Sequence, residues 1–178
     1  MVSRFEQRHR LRKSHQSRGF TLLEMLVVIA IVATLAAILL PLYGRSRAEA
    51  RRLFCSNNLM QLQRAMMMYS DNNFSSFPKL ASRPTINKDQ GTLRDTLYPL
   101  LHDERVFKCP DDNQGYFENE GSSYEWNALL NNKNKDLPAD GLMSNTRVPM
   151  IYDYENFHPK GGSFGGKNVV FVDGHVEH

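Results

Sequence analysis

Cysteine is scarce in this sequence of 178 residues: Cys55 and Cys109 are the only two. They lie 54 positions apart, with no CxxC spacing, which excludes a zinc site built from four thiolates. The sequence also shows no nucleophile–base pair, no phosphate-binding loop and no internal repeat. The absence of a nucleophile–base pair and of a phosphate-binding loop agrees with a protein that is not an enzyme.

Charge is almost absent from Phe20 to Leu40, where Glu24 is the single ionisable side chain. As a helix, this run of 21 residues spans about 30 Å, the thickness of the hydrocarbon core of a bilayer. A secretory signal would have a shorter apolar core, followed by a cleavage site with small residues. The sequence therefore predicts a transmembrane helix over residues 20–42 that stays in the mature protein.

The basic residues are concentrated before this run. Residues 1–19 hold six Lys or Arg and one Glu, a net charge of +5, which leaves sixteen bases and eighteen acids, a net charge of −2, in residues 20–178. The positive-inside rule places residues 1–19 in the cytoplasm and the C-terminal part outside the membrane. Because that part is slightly acidic, we expect no nucleic-acid partner.

A second helical pattern follows Pro41. Cys55, Leu59, Leu62 and Met66 alternate spacings of four and three, which gives one apolar stripe on an amphipathic helix over residues 43–70. The turn-favouring run Asp71-Asn72-Asn73 ends it. The remaining faces are expected to be polar and carry Arg45, Arg47, Glu49, Arg51, Arg52, Gln61 and Arg64.

The end of the chain reads as β-structure. The β-rich runs at 148–154 and 168–174 predict two strands, and a turn at Asp173-Gly174 allows a short third strand. The predicted fold class is α+β: a long N-terminal helix, half transmembrane and half amphipathic, packed against a small antiparallel sheet. The sheet and its extended loops belong to a domain over residues 71–178.

The middle of the chain is less regular. Residues 93–101 predict a short helix that is broken at Pro99. Residues 112–146 are rich in Asn, Gly, Asp and Ser, so we predict loops there, with Tyr124 and Trp126 as packing anchors.

Four polar side chains near the C-terminus can approach one another across the predicted hairpin: Asp153, His158, Asp173 and His175. Aspartate and histidine together can bind zinc or another transition metal. The Asp173-Gly174-His175 element reads equally well as ordinary turn chemistry. A metal ion and a metal-free turn therefore both stay open. For the two cysteines, a disulfide in an exported domain and two buried free thiols stay open as well.

The strongest local pattern is Arg18-Gly19-Phe20-Thr21-Leu22-Leu23-Glu24 before the apolar run. It resembles the cleavage site of type IV prepilins and type II secretion pseudopilins. The resemblance implies a cut between Gly19 and Phe20 by a membrane-embedded prepilin peptidase, which removes residues 1–19, and N-methylation of Phe20. It also implies an assembly role for Glu24 and loosening of the helix near Pro41 when subunits assemble; a simple kink is the alternative for Pro41.

Physical chemistry supports a partner for Glu24. A carboxylate in the bilayer costs about 2.5–3.5 kcal/mol on insertion scales. Cleavage after Gly19 would create an ammonium group on Phe20. In a staggered bundle of identical helices, the amine of one subunit can neutralise Glu24 of another and fix the axial register. The alternative is a Glu24 side chain that only reaches back to the membrane surface.

Further stretches resemble a pilin-like group abundant in planctomycetes, which often ends in a His followed about nine residues later by Asp-Gly; here fourteen residues separate His158 from Asp173. The stretches are 55–73, 106–112, the segment around Tyr124, and 168–177. This resemblance favours a Cys55–Cys109 disulfide. Related major pseudopilins carry a calcium site near the C-terminus. Asp136, Asp140 and the carbonyls near Gly141 are its candidate ligands here.

Together these resemblances imply a filament subunit of a type II secretion pseudopilus or a type IV pilus. The implied partners are other pilin or pseudopilin subunits, prepilin peptidase, an inner-membrane assembly platform and membrane lipid. The implied location is the inner membrane, with a single span and a periplasmic domain, before extraction into a filament. A DNA-uptake or adhesion minor pilin is one alternative, and a membrane-anchored, metal-dependent periplasmic hydrolase is another.

Overall fold

The computed structural model of the chain describes residues 20–136, 147–159 and 162–178. The chain divides after Leu42 into two units, which are described separately below. One helix, α1 (Leu22–Asp71), contributes its first part to the N-terminal unit and the rest to the C-terminal unit.

The described part of the N-terminal unit is an apolar helix. Every side chain from Phe20 to Leu42 is exposed. By length and composition alone, the helix is long and apolar enough to cross a membrane. Its one hydroxyl in the middle of the run belongs to Thr34, which donates to the Ile31 carbonyl at 2.8 Å. A hydroxyl bonded to its own helix can lie in lipid at little cost.

In the C-terminal unit, α1 buries the predicted apolar stripe. Cys55, Leu59, Leu62 and Met66 are completely buried, and the helix ends at Asp71, as the turn-favouring run predicted. One polar-face prediction is wrong, because Arg52 is only 9% exposed. The positional pattern places Arg52 three and seven residues before Cys55 and Leu59, so it lies at the edge of the buried stripe rather than opposite it.

A four-stranded antiparallel sheet follows the order of the chain. It consists of β1 (Tyr124–Trp126), β2 (Pro149–Asp153), β3 (Val169–Phe171) and β4 (Val176–Glu177). The predicted strands β2, β3 and β4 are confirmed. The prediction of loops throughout residues 112–146 is wrong at β1, which pairs with β2 from Tyr124↔Asp153 to Trp126↔Ile151.

Short helices lie between α1 and β1 and between β1 and β2. They are α2 (Leu93–Leu101), a 3₁₀ turn at Glu104–Phe107, α3 (Tyr116–Glu120) and a second 3₁₀ turn at Ala128–Leu130. The predicted break at Pro99 is wrong, because α2 continues through it. The helix buries Leu93 and Leu97, and the Thr92 side chain caps its first turn, so packing and capping compensate for one missing backbone bond.

The core lies between the C-terminal half of α1 and the sheet. Trp126 packs edge-on against Phe77, with ring centroids 5.7 Å apart. Two buried amides on α1 also bond across this core. Gln63 Nε2 donates to the Val172 carbonyl at 3.0 Å, and Asn58 Nδ2 donates to the Tyr124 hydroxyl at 3.1 Å. The helix is therefore fixed in register against the sheet by directional bonds as well as by apolar contact.

Candidate functional site

The predicted processing site lies at the start of the described residues. Gly19 falls outside them, and Phe20 is their first residue, with its side chain 73% exposed. Helix α1 begins two residues later, at Leu22. Phe20 thus lies just before the first turn of the helix.

Thr21 and Glu24 form a reciprocal capping box at the start of α1. The Glu24 amide donates to Thr21 Oγ1 at 3.2 Å, and the Thr21 amide donates back to Glu24 Oε2 at 2.9 Å. The Thr21 hydroxyl also donates to Glu24 Oε2, at 2.8 Å. Two backbone donors that the helix leaves unpaired are satisfied in this way. Our reading of the sequence missed Thr21, although its Thr-x-x-Glu spacing is the signature of this motif.

The capping box gives Glu24 a local role within its own chain. A carboxylate in the first turn also complements the positive end of the helix dipole. An ammonium group on Phe20 would lie at that same positive end, where a cation is disfavoured. The electrostatics of the helix start therefore favour bringing carboxylate groups close to such an amine.

Pro41 lies within α1, one residue before the boundary between the two units. Its nitrogen cannot donate to the carbonyl four residues earlier, so the helix lacks one bond at this point. Gly44 follows closely, and an added Cβ there would meet nothing within 4 Å. Two residues that weaken a helix thus flank the unit boundary.

Cys55 and Cys109 form a disulfide with a Cα–Cα distance of 5.3 Å, so the free-thiol alternative does not describe this structure. Both cysteines are completely buried. The bond joins α1 to the segment just after the first 3₁₀ turn. For a loop of this length, the chain-entropy model gives a stabilisation of about 4 kcal/mol.

The four predicted metal ligands separate into two pairs. Asp153 and His158 are buried, with Oδ2 and Nε2 3.4 Å apart. Asp173 and His175 lie in the β3–β4 turn. Asp173 Oδ1 accepts from the His175 backbone amide at 3.2 Å and lies 2.5 Å from His175 Nδ1. Gly174 has a φ of 95°, which agrees with the turn interpretation of this element.

His158 has a different set of neighbours from the one the sequence suggested. Its Nδ1 lies 3.1 Å from Asp111 Oδ2, and its Nε2 lies 3.6 Å from Cys109 Sγ. Asp111 also binds Arg51 of α1. Among residues 20–136, 147–159 and 162–178, one group of three ligating side chains is close enough to hold a metal, and it consists of Cys55, Cys109 and His158.

Asp153 is buried on β2 beside this histidine. Burial raises the pKa of Asp153, whereas hydrogen bonds from His158 and from the Asn168 amide oppose the rise. The backbone amide of Asn168 donates to Asp153 Oδ2 at 2.7 Å, and Asp153 Oδ1 has no hydrogen-bond partner among the described residues. A buried carboxylate oxygen without a donor is costly, so this position favours a proton or a cation.

Asp112, next to Asp111, organises the segment between the disulfide and the sheet. Its Oδ1 accepts from the amides of residues 114, 115 and 116, and its Oδ2 accepts from the Phe117 amide at 2.9 Å and the Ser123 hydroxyl at 2.7 Å. Burial alone would raise the pKa of Asp112, but these hydrogen bonds hold it below its ordinary value. Asp112 therefore stabilises the fold as a carboxylate.

The candidate calcium ligands are mostly outside the described residues. Asp140 and Gly141 are not among them. Asp136 is exposed, and its amide donates to Asn134 Oδ1 at 2.8 Å. The calcium site therefore stays a prediction.

The N-terminal segment of the chain is similar to known proteins. Residues 14–40 match the family model of the prokaryotic N-terminal methylation motif. Type II secretion system core protein G of Pectobacterium carotovorum subsp. carotovorum is 32% identical over 81 residues, which is 42% of this chain and 52% of that protein. The protein of the same name from Escherichia coli K12 is 33% identical over 63 residues, or 35% of this chain and 43% of its own length.

The chain thus spans about half the length of the curated relatives it matches. No solved structure matches it significantly. The methylation motif covers Gly19, Phe20 and Glu24, the residues that carried the resemblance in the sequence.

Proposed function

We propose that this chain, a pseudopilin- or type IV pilin-like protein, is a structural subunit of a type II secretion pseudopilus or a related filament. In this proposal prepilin peptidase cuts after Gly19 and methylates Phe20, and the mature subunits assemble through α1. The observation that carries the proposal is the start of α1, where a methylation motif, a capping box and a membrane-length apolar helix coincide.

Exposure of the N-terminal helix supports assembly. From Phe20 to Leu42, no side chain is covered by other parts of the described chain. An apolar surface of this extent is stable only in lipid or against other apolar helices. A subunit that begins in the membrane and ends in a helical bundle meets both environments in turn.

Glu24 supplies the proposed register. In a bundle, the amine of one mature subunit would approach Glu24 of its neighbour, and pairing would remove the cost of a lone carboxylate in lipid. The capping box holds the carboxylate at the first turn before assembly. The incoming amine would then compete with, or add to, the bonds from Thr21.

The proposed location is the inner membrane, with residues 1–19 in the cytoplasm and residues 43–178 in the periplasm before filament extraction. The disulfide fits an oxidising compartment. The proposed partners are sister subunits, prepilin peptidase, an inner-membrane assembly platform and lipid.

The alternatives receive less support from the described residues. A DNA-uptake pilin needs a basic stripe, but Arg51 is bound to Asp111 and Arg52 is buried. The hypothesis of a metal-dependent hydrolase depended on four side chains, and these lie in two separate pairs. A structural subunit therefore explains more of the molecule.

Processing provides the direct test. The full chain would be co-expressed with a prepilin peptidase, and the N-terminus and intact mass of the product would be measured. We expect a product that begins at Phe20 and is one methylene heavier than the unmodified polypeptide. A bulky replacement, Gly19→Val, should leave the precursor uncut, because the peptidase must approach the backbone closely.

Gly44→Ala is the matched control, since an added Cβ at that exposed helical glycine has open space. It should be cut normally. A Gly19→Val chain processed as fast as Gly44→Ala, or a wild-type product that still begins at Met1, would contradict the proposal.

A further inference from the structure

A second site lies in the C-terminal unit, away from the processing segment. The ligating atoms of Cys55, Cys109 and His158 all lie within 4.8 Å of one another. The two cysteines are completely buried, and His158 is 4% exposed. Two thiolates and an imidazole are ligands that zinc prefers. In the oxidised structure the two sulfurs are bonded to each other and are not thiolates.

The histidine is oriented as a metal-binding histidine would be. Its Nδ1 faces the Asp111 carboxylate at 3.1 Å, while its Nε2 faces Cys109 Sγ at 3.6 Å. Metal-binding histidines usually donate one ring N–H to a carboxylate, which fixes the ring and leaves the other nitrogen for the metal. Arg51 holds Asp111 in turn.

Asp153 lies on the ligand side of the same ring. Its Oδ2 is 3.4 Å from His158 Nε2, and its Oδ1 has no hydrogen-bond partner. If the ring proton is on Nδ1, facing Asp111, a nitrogen lone pair and a carboxylate oppose each other in a buried space. Such an arrangement requires a proton or a cation between the two groups.

Two distances at this site match those between ligands of a tetrahedral zinc ion. With Zn–S bonds of about 2.3 Å and Zn–N bonds of about 2.0–2.1 Å, sulfur and nitrogen ligands lie about 3.6 Å apart, and nitrogen and oxygen ligands about 3.3 Å apart. In the structure, His158 Nε2 lies 3.6 Å from Cys109 Sγ and 3.4 Å from Asp153 Oδ2. Once reduced, the sulfurs need to separate only to about 3.8 Å.

We propose that the reduced form of this domain binds one zinc ion through Cys55, Cys109 and His158, with Asp153 as the nearest carboxylate for the fourth position. A dithiol transfers two electrons to the disulfide and becomes a cyclic disulfide; the two cysteine thiols lose their protons on binding Zn²⁺. In the reverse direction, a disulfide donor accepts two electrons from the thiolates, the Cys55–Cys109 bond forms, and zinc is released.

Both forms crosslink the same two segments of the chain. The disulfide joins α1 directly to Cys109, and the zinc ion would join α1, Cys109 and the loop after β2 through His158. Thiols are kept reduced where the chain is made and are oxidised outside the cytoplasm. Zinc would therefore stabilise the domain while its two thiols are reduced, and the disulfide would replace zinc on oxidation. This inference does not depend on the proposed filament function.

The test uses the full chain in detergent, without an affinity tag, in oxidised form and after reduction by a phosphine and removal of metal. Zinc affinity is measured by competition with a chromophoric chelator, and Co²⁺ serves as a spectroscopic probe. We expect one zinc per reduced chain, and thiolate-to-cobalt charge-transfer bands with tetrahedral d–d bands. The oxidised chain should bind no zinc and should show no thiolate-to-cobalt bands, although it has the same histidines as the reduced chain.

Variants separate this site from adventitious binding. His158→Gln should weaken zinc binding to the reduced chain at least 100-fold, and Asp111→Asn should weaken it about 10–100-fold through loss of the orienting carboxylate. His175→Gln, at a histidine outside the cluster, should leave the affinity unchanged. Should a variant fail to fold, the comparison of oxidised and reduced wild-type chains still decides the question. Equal zinc affinity in the two redox forms, or cobalt spectra without thiolate bands, would overturn the proposal.

Discussion

The two roles of Glu24 can be separated by a pair of substitutions. In the capping box, Glu24 Oε2 accepts from the Thr21 amide at 2.9 Å and from the Thr21 hydroxyl at 2.8 Å. The Glu24→Gln variant keeps a side-chain oxygen that can accept both bonds but has no charge. The Glu24→Ala variant loses the bonds and the charge together. Capping and charge pairing therefore predict different results for the two variants.

The expected magnitudes differ enough to be measured. Loss of a capping interaction costs about 0.5–2 kcal/mol, and glutamine is itself a normal partner in a capping box. If capping alone mattered, Glu24→Gln would assemble almost like the wild type. A carboxylate that goes unpaired in lipid costs about 2.5–3.5 kcal/mol, so the pairing can be worth about a hundredfold in subunit incorporation. The amide has no charge to contribute to this pairing.

We therefore expect both variants to be processed at Gly19 but to enter filaments poorly, with Glu24→Gln close to Glu24→Ala. The assay compares the fraction of mature subunit in sheared filaments with the fraction left in the membrane. Thr21→Val is the matched control, because it removes the hydroxyl partner of the box but keeps the charge; it should assemble far better than Glu24→Gln. Normal incorporation of Glu24→Gln, together with failure of Thr21→Val, would refute charge pairing and leave capping as the role of Glu24.

Two predictions concern the stability of the C-terminal unit. Asn58→Leu should lower the free energy of unfolding by about 1–3 kcal/mol. The reason is that the buried Asn58 amide donates to the Tyr124 hydroxyl and to the carbonyls of Lys108 and Arg105. The control Asn57→Leu, on the exposed face of the helix, should change it by less than about 0.5 kcal/mol. Urea unfolding measures both, and equal effects would contradict the assigned bonds. Asp112→Asn should cost about 1–3 kcal/mol at neutral pH, since an amide nitrogen cannot accept from Phe117 and Ser123. Because folding lowers the pKa of Asp112, the stabilisation from its carboxylate is present above the ordinary pKa of 3.8 and is lost as pH falls through the folded value. The free energies of unfolding of the wild type and Asp112→Asn should therefore converge in strong acid. A difference between them that does not change with pH would contradict this.

The sequence was informative where a single physical constraint dominates. The apolar run of 21 residues can only be a membrane-length helix or a buried core helix, and the basic segment before it favours the membrane. The stripe from Cys55 to Met66 follows the helical period closely, and the structure buries all of it. Strands β2 and β3 lie in runs rich in β-branched and other apolar residues that are bounded by turn residues.

Where several physical constraints compete, the sequence alone predicts the structure less well. Strand β1 has three residues in a stretch rich in Asn, Gly and Ser, and its stability comes from pairing with β2, which local composition does not reveal. The run through Pro99 stays helical because α2 is capped by Thr92 and packed through Leu97. In both cases tertiary contacts outweigh a local preference.

The neighbours of His158 show the same limit at a chemical site. Sequence spacing suggested a set with Asp173 and His175, which follow it within twenty residues. The fold instead brings in Asp111 and Cys109, about fifty residues earlier, because β1 pairs with β2 and the disulfide fixes α1 beside the chain that precedes β1. A ligand set assembled from three distant segments has no local spacing to recognise.

Burial explains why the two candidate sites call for different kinds of partner. At the start of α1, Glu24 is exposed and lies within an apolar surface, so in the proposed filament a cationic partner would come from another molecule as that surface is covered. His158 and Asp153 are already buried, so in the proposed zinc site a partner between them would be an ion small enough to enter with little rearrangement. In these two proposals, assembly would change the surroundings of the first site, and a change of redox state would change those of the second.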